Sequence, residues 1–342
     1  MFVSIIIPVY QPGRFVRGCV ASLQRQSFSD FEAIFIDDCG NDGSMEIIRR
    51  AAEHDSRFKI LRNTRNLGQG KSRDAGIAAA QGEYVLMLDS DDHLTDHALA
   101  TLYEAANTES SDIIAFSVVH RHRFSRKTDP CFEHMYRGRG RDFLPSFFTG
   151  IGQSFTLPNV EWFEYNKLIR RDLITNNDIT HLPGRRKCED MLFLLELLSI
   201  AGNVTCIPHA LYIYNKCNAN AITADCSLER FSTCLLPFSA AQKFIHENGL
   251  QEELGRQFLL AWDKYVYMGV LPAHIKPFNN RHNREVINEM AKIIEPSGLP
   301  IPQTLATALN ADPHELQRLK IRIFKMRYIP LWLTKLKKRV FK

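Results

Sequence analysis

Gly82-Glu83-Tyr84-Val85-Leu86-Met87-Leu88-Asp89-Ser90-Asp91-Asp92 is the stretch from which the fold can be worked out. The five apolar residues from Tyr84 to Leu88 are too few for a helix. Bounded by glycine on one side and acids on the other, they read as a buried strand that ends in charge. The three carboxylates of Asp89, Asp91 and Asp92 repel one another at neutral pH. A cation, or a metal carried in on a phosphate, relieves that repulsion. A solvated turn before the next helix would also tolerate it.

Upstream, the same pattern of strand followed by polar turn recurs. Val3 to Val9 is a continuous apolar run rich in β-branched residues, the mark of a strand buried on both faces, with Pro8 and Tyr10 at its carboxyl end. Arg14 to Gln26 spaces Phe15, Val16, Cys19, Val20 and Leu23 as a helix does, and Phe31 to Asp38 returns to strand. A turn from Asp37 to Gly43 leads to Ser44 as helix N-cap, a helix from Met45 to His54, a strand from Phe58 to Leu61 and a helix from Lys71 to Ala80. Strands alternating with helices predict an α/β fold with a doubly wound open sheet and ligands at the carboxyl ends of its strands. Pro8, Tyr10, Asp38, Asp89 and Asp91 all fall at such ends.

Downstream of the acids a helix is expected over Thr95 to Ala106 and a strand over Asp112 to Phe116. Glu161 to Leu168 mixes aromatic and polar groups, suited to holding a sugar ring or to an ordinary half-buried strand. Glu189 and Asp190 open a helix that continues to Leu198, where the helix dipole favours acids whatever else they do. Val204 to Pro208 and Leu211 to Tyr214 read as two short strands. From Leu228 the alternation gives way to helices over 228–247, 251–269, 283–295 and 303–325. The expected division is a catalytic domain over 1–225 and a helical region over 226–342.

Composition narrows the class of protein. Eight scattered cysteines form no C-x-x-C pair, which favours a reducing compartment over a disulfide framework or a zinc site. Neither a signal-like N-terminus nor an apolar run of about 18 residues is present, so the expected location is cytoplasmic. The net charge of +5 is local: residues 316–342 hold ten Lys and Arg and no acid, leaving 33 basic against 38 acidic groups in the first 315. That asymmetry argues against a nucleic-acid enzyme. Residues 321–342 interleave those cations with Trp332 and Phe341, as in a segment lying on an anionic membrane, although a solvated terminal helix has a similar composition.

Two readings compete for the acids. Gly68-Gln69-Gly70-Lys71-Ser72 resembles a phosphate-binding P-loop, but the glycine required five positions before Gly70 is Arg65, and the loop does not follow the first strand. A nucleotide-diphosphate site makes better use of the pattern. There a divalent ion would bridge phosphate and carboxylate, Asp38 would accept from a base N–H and Tyr10 would pack on the base. Arg73 would face the diphosphate, and Asp190 would deprotonate an incoming hydroxyl.

Val3 to Tyr10, Ser22 to Phe28, Ile36-Asp37-Asp38, Asn66-Leu67-Gly68 with Ser72 to Gly76, Gly82-Glu83-Tyr84, Leu88 to Asp92, Asn166-Lys167-Leu168 and Glu189-Asp190 occur in this order. Over residues 2–215 that order resembles family 2 glycosyltransferases of GT-A fold. The resemblance implies inverting transfer of a hexose or N-acetylhexosamine from a nucleotide donor, usually UDP-linked, with Mn²⁺ or Mg²⁺. The acceptor would be a hydroxyl of a glycan or lipid-linked molecule in surface polysaccharide or lipopolysaccharide synthesis, at the inner face of the cytoplasmic membrane. It further implies that Asp89 and Asp91 form the D-x-D element, with Asp91 the direct metal ligand, that Asp38 reads the base and that Asp190 is the catalytic base. Asp92, Trp162, Lys167 and Glu189 are expected to support the acids or to face the acceptor, and either His209 or Lys216 to reach the diphosphate. Asp74 departs from the family, which commonly has Asn there. A nucleotide-sugar-binding protein without turnover is the alternative, and retention of both Asp91 and Asp190 argues against it.

Overall fold

The computed structural model describes residues 1–122, 125–129, 132, 134–148, 163–184, 188–217, 227–266, 274 and 280–310. The chain divides into two compact units, Met1–Ile222 and Thr223–Lys342.

The first unit opens with β1 (Val3–Val9), α1 (Val16–Gln24), β2 (Phe31–Asp37), α2 (Ser44–Ala52), β3 (Phe58–Arg62), α3 (Gln69–Ala79) and β4 (Tyr84–Met87). These strands run parallel in the order β3-β2-β1-β4, the arrangement that the alternation predicts. Every residue of β1 and β2 is buried. Apolar groups of α1 and α2, among them Val16, Cys19, Leu23 and Ile48, share one core with the strands. Helix α3 lies so close to the sheet that a Cβ on Gly76 would come within 2.4 Å of Ile6 Cγ2.

Beyond β4 the sheet becomes mixed. It continues through β5 (His93–Leu94), α4 (Ala98–Glu109), β6 (Ile113–His122), β7 (Ser125–Asp129), β8 (Tyr136–Gly138), α5 (Gly140–Phe147), β9 (Lys167–Arg170), α6 (Arg171–Thr175), α7 (Glu189–Ile200) and β10 (Val204–Asn215). Strand β9 is antiparallel to both β4 and β6 and joins the two halves, while β6 and β10 pair in parallel.

Four local expectations are corrected. The strand expected to end at Phe116 runs on to His122. The two short strands after Val204 are one strand, with register shifts between Ile207 and Tyr212. The helix expected from Thr95 starts at Ala98, after β5. Ser44 is not the N-cap of α2 but its first residue: Gly43, at φ 80°, holds the cap position, and Asp42 Oδ1 accepts from the Ser44 N–H.

In the second unit, α8 (Leu228–Glu247), α9 (Gln251–Lys264), α10 (Asn280–Ile294) and α11 (Gln303–Asn310) are described. Trp262 is buried, rests 4.7 Å from Phe238 and donates its indole N–H to Pro300 O. Residues 321–342 lie outside the described residues.

Candidate active site

The carboxyl ends of β1, β2 and β4 bring the predicted residues to one edge of the sheet. Tyr10 is 38% exposed there. Pro8 is buried within β1 opposite Ile36, so it shapes the strand and is not itself presented to a ligand. Asp38 is buried, and its carboxylate holds the loop that opens α3. Oδ1 accepts from Leu67 N–H and Asn63 Nδ2 at 2.8 Å each, and Oδ2 accepts from Gly68 N–H at 3.0 Å. A carboxylate has about four acceptor positions, so one remains on Oδ2.

The same loop removes the P-loop reading. Lys71 Nζ is bound to Asp74 at 2.7 Å, and the fully buried Ser72 hydroxyl accepts from Asn63. Neither group is offered to a phosphate.

The acids after β4 differ in what holds them. Asp89 Oδ1 accepts from Gln69 Nε2 at 2.6 Å and Arg73 Nη2 at 3.0 Å, and its N–H donates to the Tyr212 hydroxyl. Asp91 is half-buried, and its backbone carbonyl accepts from the Asn215 side chain. Asp92 is 1% exposed and accepts from Tyr212 Oη and Asn215 N–H, both at 2.7 Å. Burial, then the charges of Asp91 and Asp89, push the Asp92 carboxyl well above its ordinary range. Asp92 therefore neither starts a helix nor faces an acceptor; it ties β10 to the acidic loop from behind.

Arg73 brings the two acid motifs together. It is 3% exposed and reaches Asp89 at 3.0 Å, Glu164 at 3.5 Å and Glu189 at 3.9 Å. Burial alone would weaken its proton affinity, but the surrounding carboxylates, Glu164 first, hold it above the ordinary value. A guanidinium enclosed by acids is not offered to a diphosphate. Arg73 instead aligns them, a correction to its expected role. Glu189 is buried and pushed up to about 8, chiefly by burial, with Arg73 and His181 opposing. Asp190 is half-buried and raised to about 6 by burial and by Glu164, with Arg73 opposing.

Two groups in this network escaped the sequence reading, Glu164 and His181. Glu164 is fully buried and meets His181 Nε2 at 2.8 Å; His181 Nδ1 meets Asp74 Oδ1 at 2.6 Å. No periodicity marks either residue. The unusual Asp74 was the available signal, since an acid in place of an amide brings a charge that calls for a partner.

Among the acceptor-side candidates, Lys167 is fully buried and donates to Phe163 O and Asn166 Oδ1, so it braces the segment before β9. Trp162 lies outside the described residues. His209 is exposed at the irregular middle of β10. Lys216 follows Asn215 at the end where β10 binds the acidic loop, with its ammonium 5.8 Å from the centre of the Tyr214 ring.

The model of the family described as glycosyl transferase family 2 matches residues 4–174, half of the chain. The chain belongs to that family. Its relatives include EpsH of Bacillus subtilis (strain 168), described as a glycosyltransferase, which is 23% identical over 96% of this chain and 92% of its own length. TarS of Staphylococcus aureus (strain MW2), a poly(ribitol-phosphate) β-N-acetylglucosaminyltransferase, is 25% identical over 62% of this chain and 35% of its own. A crystal structure of S. aureus TarS 1-349 with UDP-GlcNAc superposes at a TM-score of 0.65 and 17% identity, covering 95% of this chain and 90% of that one. The mannosyltransferase PcManGT of Pyrobaculum calidifontis, in complex with GDP-Man and Mn²⁺, superposes at 0.51 and 13% identity, covering 96% and 87%. These likenesses show a shared GT-A fold, and the glycosyltransferase described here is built on it.

Proposed function

We propose that this glycosyltransferase moves a sugar, with inversion, from a UDP-linked donor to a hydroxyl of a glycan or lipid-linked acceptor. The observation that carries the reading is the convergence through Arg73 of Asp89, after β4, and the Glu189-Asp190 pair, a hundred residues later. The binding of UDP-GlcNAc by TarS supports the donor class.

In this account Asp190 accepts the proton of the acceptor hydroxyl. The freed oxygen forms a bond to the anomeric carbon from the face opposite the nucleotide, and the bond from that carbon to the diphosphate oxygen breaks, its electron pair leaving with UDP. Tyr10 and the remaining position on Asp38 take the base. Lys216, at the end of β10, is the better placed of the two diphosphate candidates.

The residues present fit Mg²⁺ or Mn²⁺. Asp89 and Asp91 supply hard oxygen donors on partly exposed side chains, and burial together with their charges pushes the neighbouring Asp92 carboxyl up. Substrate phosphates and water would complete the coordination of such an ion. When bound, such an ion would neutralise charge on the departing diphosphate.

Calorimetry with UDP and Mn²⁺ tests the division of labour. Asp91→Ala should lose metal-dependent binding while Asp190→Asn keeps it, and loss in both would contradict the separate roles. We also assign residues 321–342 to an anionic membrane surface, where each Lys or Arg contributes about 1 kcal/mol. Their deletion should reduce liposome association at low salt, and unchanged association would remove that assignment. The location that follows is peripheral, on the cytoplasmic face; no described helix is long and apolar enough to cross a membrane.

A further inference from the structure

The most unusual feature of the buried network is a histidine whose two ring nitrogens both meet carboxylates. We propose that His181 is a positioning residue of the donor site: clamped as an imidazolium between Asp74 and Glu164, it holds Glu164 in place as the counter-charge on which Arg73 is aligned toward Asp89. The donor-site part rests on the proposed function; the clamp itself does not.

The geometry dictates the charge. Nδ1 lies 2.6 Å from Asp74 Oδ1 and Nε2 lies 2.8 Å from Glu164 Oε1. Asp74 and Glu164 are both held below the ordinary carboxylate range, and an ionised carboxylate only accepts, so both nitrogens carry hydrogen and the ring is cationic. The site is built to hold it. The backbone N–H of His181 donates to the same Asp74 oxygen, and the ring stacks on Phe193 at 4.2 Å with 13° between planes. Gly70 makes room for it, since a Cβ there would stand 2.7 Å from the Cβ of His181.

The ionisable groups acting on or next to the ring are Asp74 and Lys71 from α3, Glu164, Arg73, and Glu189 and Glu196 from α7. Burial pulls the imidazole down, but the charge of Glu164 and the bonds to both acids outweigh it, for a value of about 9. Glu164 in turn stays below its ordinary range despite burial, through His181 and Arg73. Asp74 thus has a function that the family's usual Asn would serve less well: it carries charge to the second nitrogen.

Replacing His181 by Phe keeps a ring against Phe193 and removes both N–H groups, leaving Glu164 with Arg73 alone. Arg73 should then shift from Asp89 toward Glu164, and the affinity for UDP with Mn²⁺ should fall about tenfold or more. Adding Glu164→Gln to His181→Phe removes the surplus charge and should recover most of that loss, which purely structural damage would not do. Asp74→Asn is a near-isosteric second variant that serves even where His181→Phe fails to fold. It should lower the His181 titration midpoint and weaken UDP binding in the same direction.

The deciding experiment is NMR titration of the His181 Cε1–H signal in the full chain, alongside UDP calorimetry on the wild type and these variants. A His181 midpoint near 9 that drops in Asp74→Asn, with rescue in the double variant, upholds the proposal. A midpoint at or below the ordinary value of about 6.5, or UDP affinity unchanged in both His181→Phe and Asp74→Asn, overturns it. If the wild type binds no UDP, the donor reading fails and takes the donor-site part of the proposal with it. The titration then judges the clamp by itself on the same midpoints.

Discussion

The two sides of the site are charged on opposite plans. Around His181, the cations Lys71, Arg73 and His181 face the carboxylates Asp74, Glu164 and Asp89, and burial pushes Glu189 up to about 8. Around Asp91, Asp92 is held by neutral donors, Tyr212 and Asn215, and burial, then the charges of Asp91 and Asp89, raises its proton affinity. A balanced side can be buried and rigid, whereas a side left with surplus negative charge is prepared for an incoming cation. Arg73 belongs to both, and through it the balanced side joins Asp89 to Glu189.

Breaking the shared residue should do the most damage. Arg73→Met removes the cation shared by Asp89, Glu164 and Glu189 and should destabilise the first unit by about 3–5 kcal/mol. Thermal or denaturant unfolding measures this, and a loss below about 1 kcal/mol would show that the acids do not depend on Arg73. Tyr212→Phe breaks only the neutral lashing, removing a donor from Asp92 and an acceptor from the Asp89 N–H. Its expected cost is about 1–3 kcal/mol by the same measurement.

The two plans also separate by pH. His181 has a folded value of about 9, raised above the unfolded one, so its stabilisation is complete below about 6.5 and is lost as pH rises through 9. Glu189, raised to about 8, has the same sign: the fold favours its protonated form, and stability declines as pH climbs from about 4.5 through 8. The melting temperature should therefore fall from pH 7 to 9.5 in the wild type and fall less in His181→Phe. Equal slopes would mean that the histidine is not charged in the fold. The smallest effect is expected at the rim. Lys216→Ala should weaken UDP binding about two- to fivefold, in keeping with an exposed charge, and His209→Ala should leave it unchanged; the reverse order would exchange their roles.

How much of this was legible in the sequence follows from the range of the interactions. Strands β1 to β4 could be read because each is a short buried run between turn signals, and burial on both faces leaves an unbroken apolar stretch. Strand β9 has four residues and β5 two, too few for a period, and their places depend on partners distant in sequence. In β10, Pro208 and the exposed His209 interrupt the pattern of what is one strand. The site divides in the same way. Asp89, Asp91 and Asp190 stand in short acidic motifs whose chemistry is visible in the residues themselves. Glu164 and His181 acquire their roles only by meeting Arg73 and Asp74 across the fold. The role of Arg73 was displaced for that reason: without its three partners in view, a cation at a glycine-rich loop reads as a phosphate ligand.

The central claim, that the acids joined through Arg73 form a sugar-transfer site with Asp190 as its base, is tested most directly by nucleotide release from a panel of nucleotide sugars. The account predicts that at least one UDP-sugar yields free UDP only with Mn²⁺ or Mg²⁺, and that Asp190→Asn slows this by about 10²- to 10⁴-fold while UDP still binds. Release at the wild-type rate by Asp190→Asn, or cleavage of ATP in place of any sugar nucleotide, would contradict it.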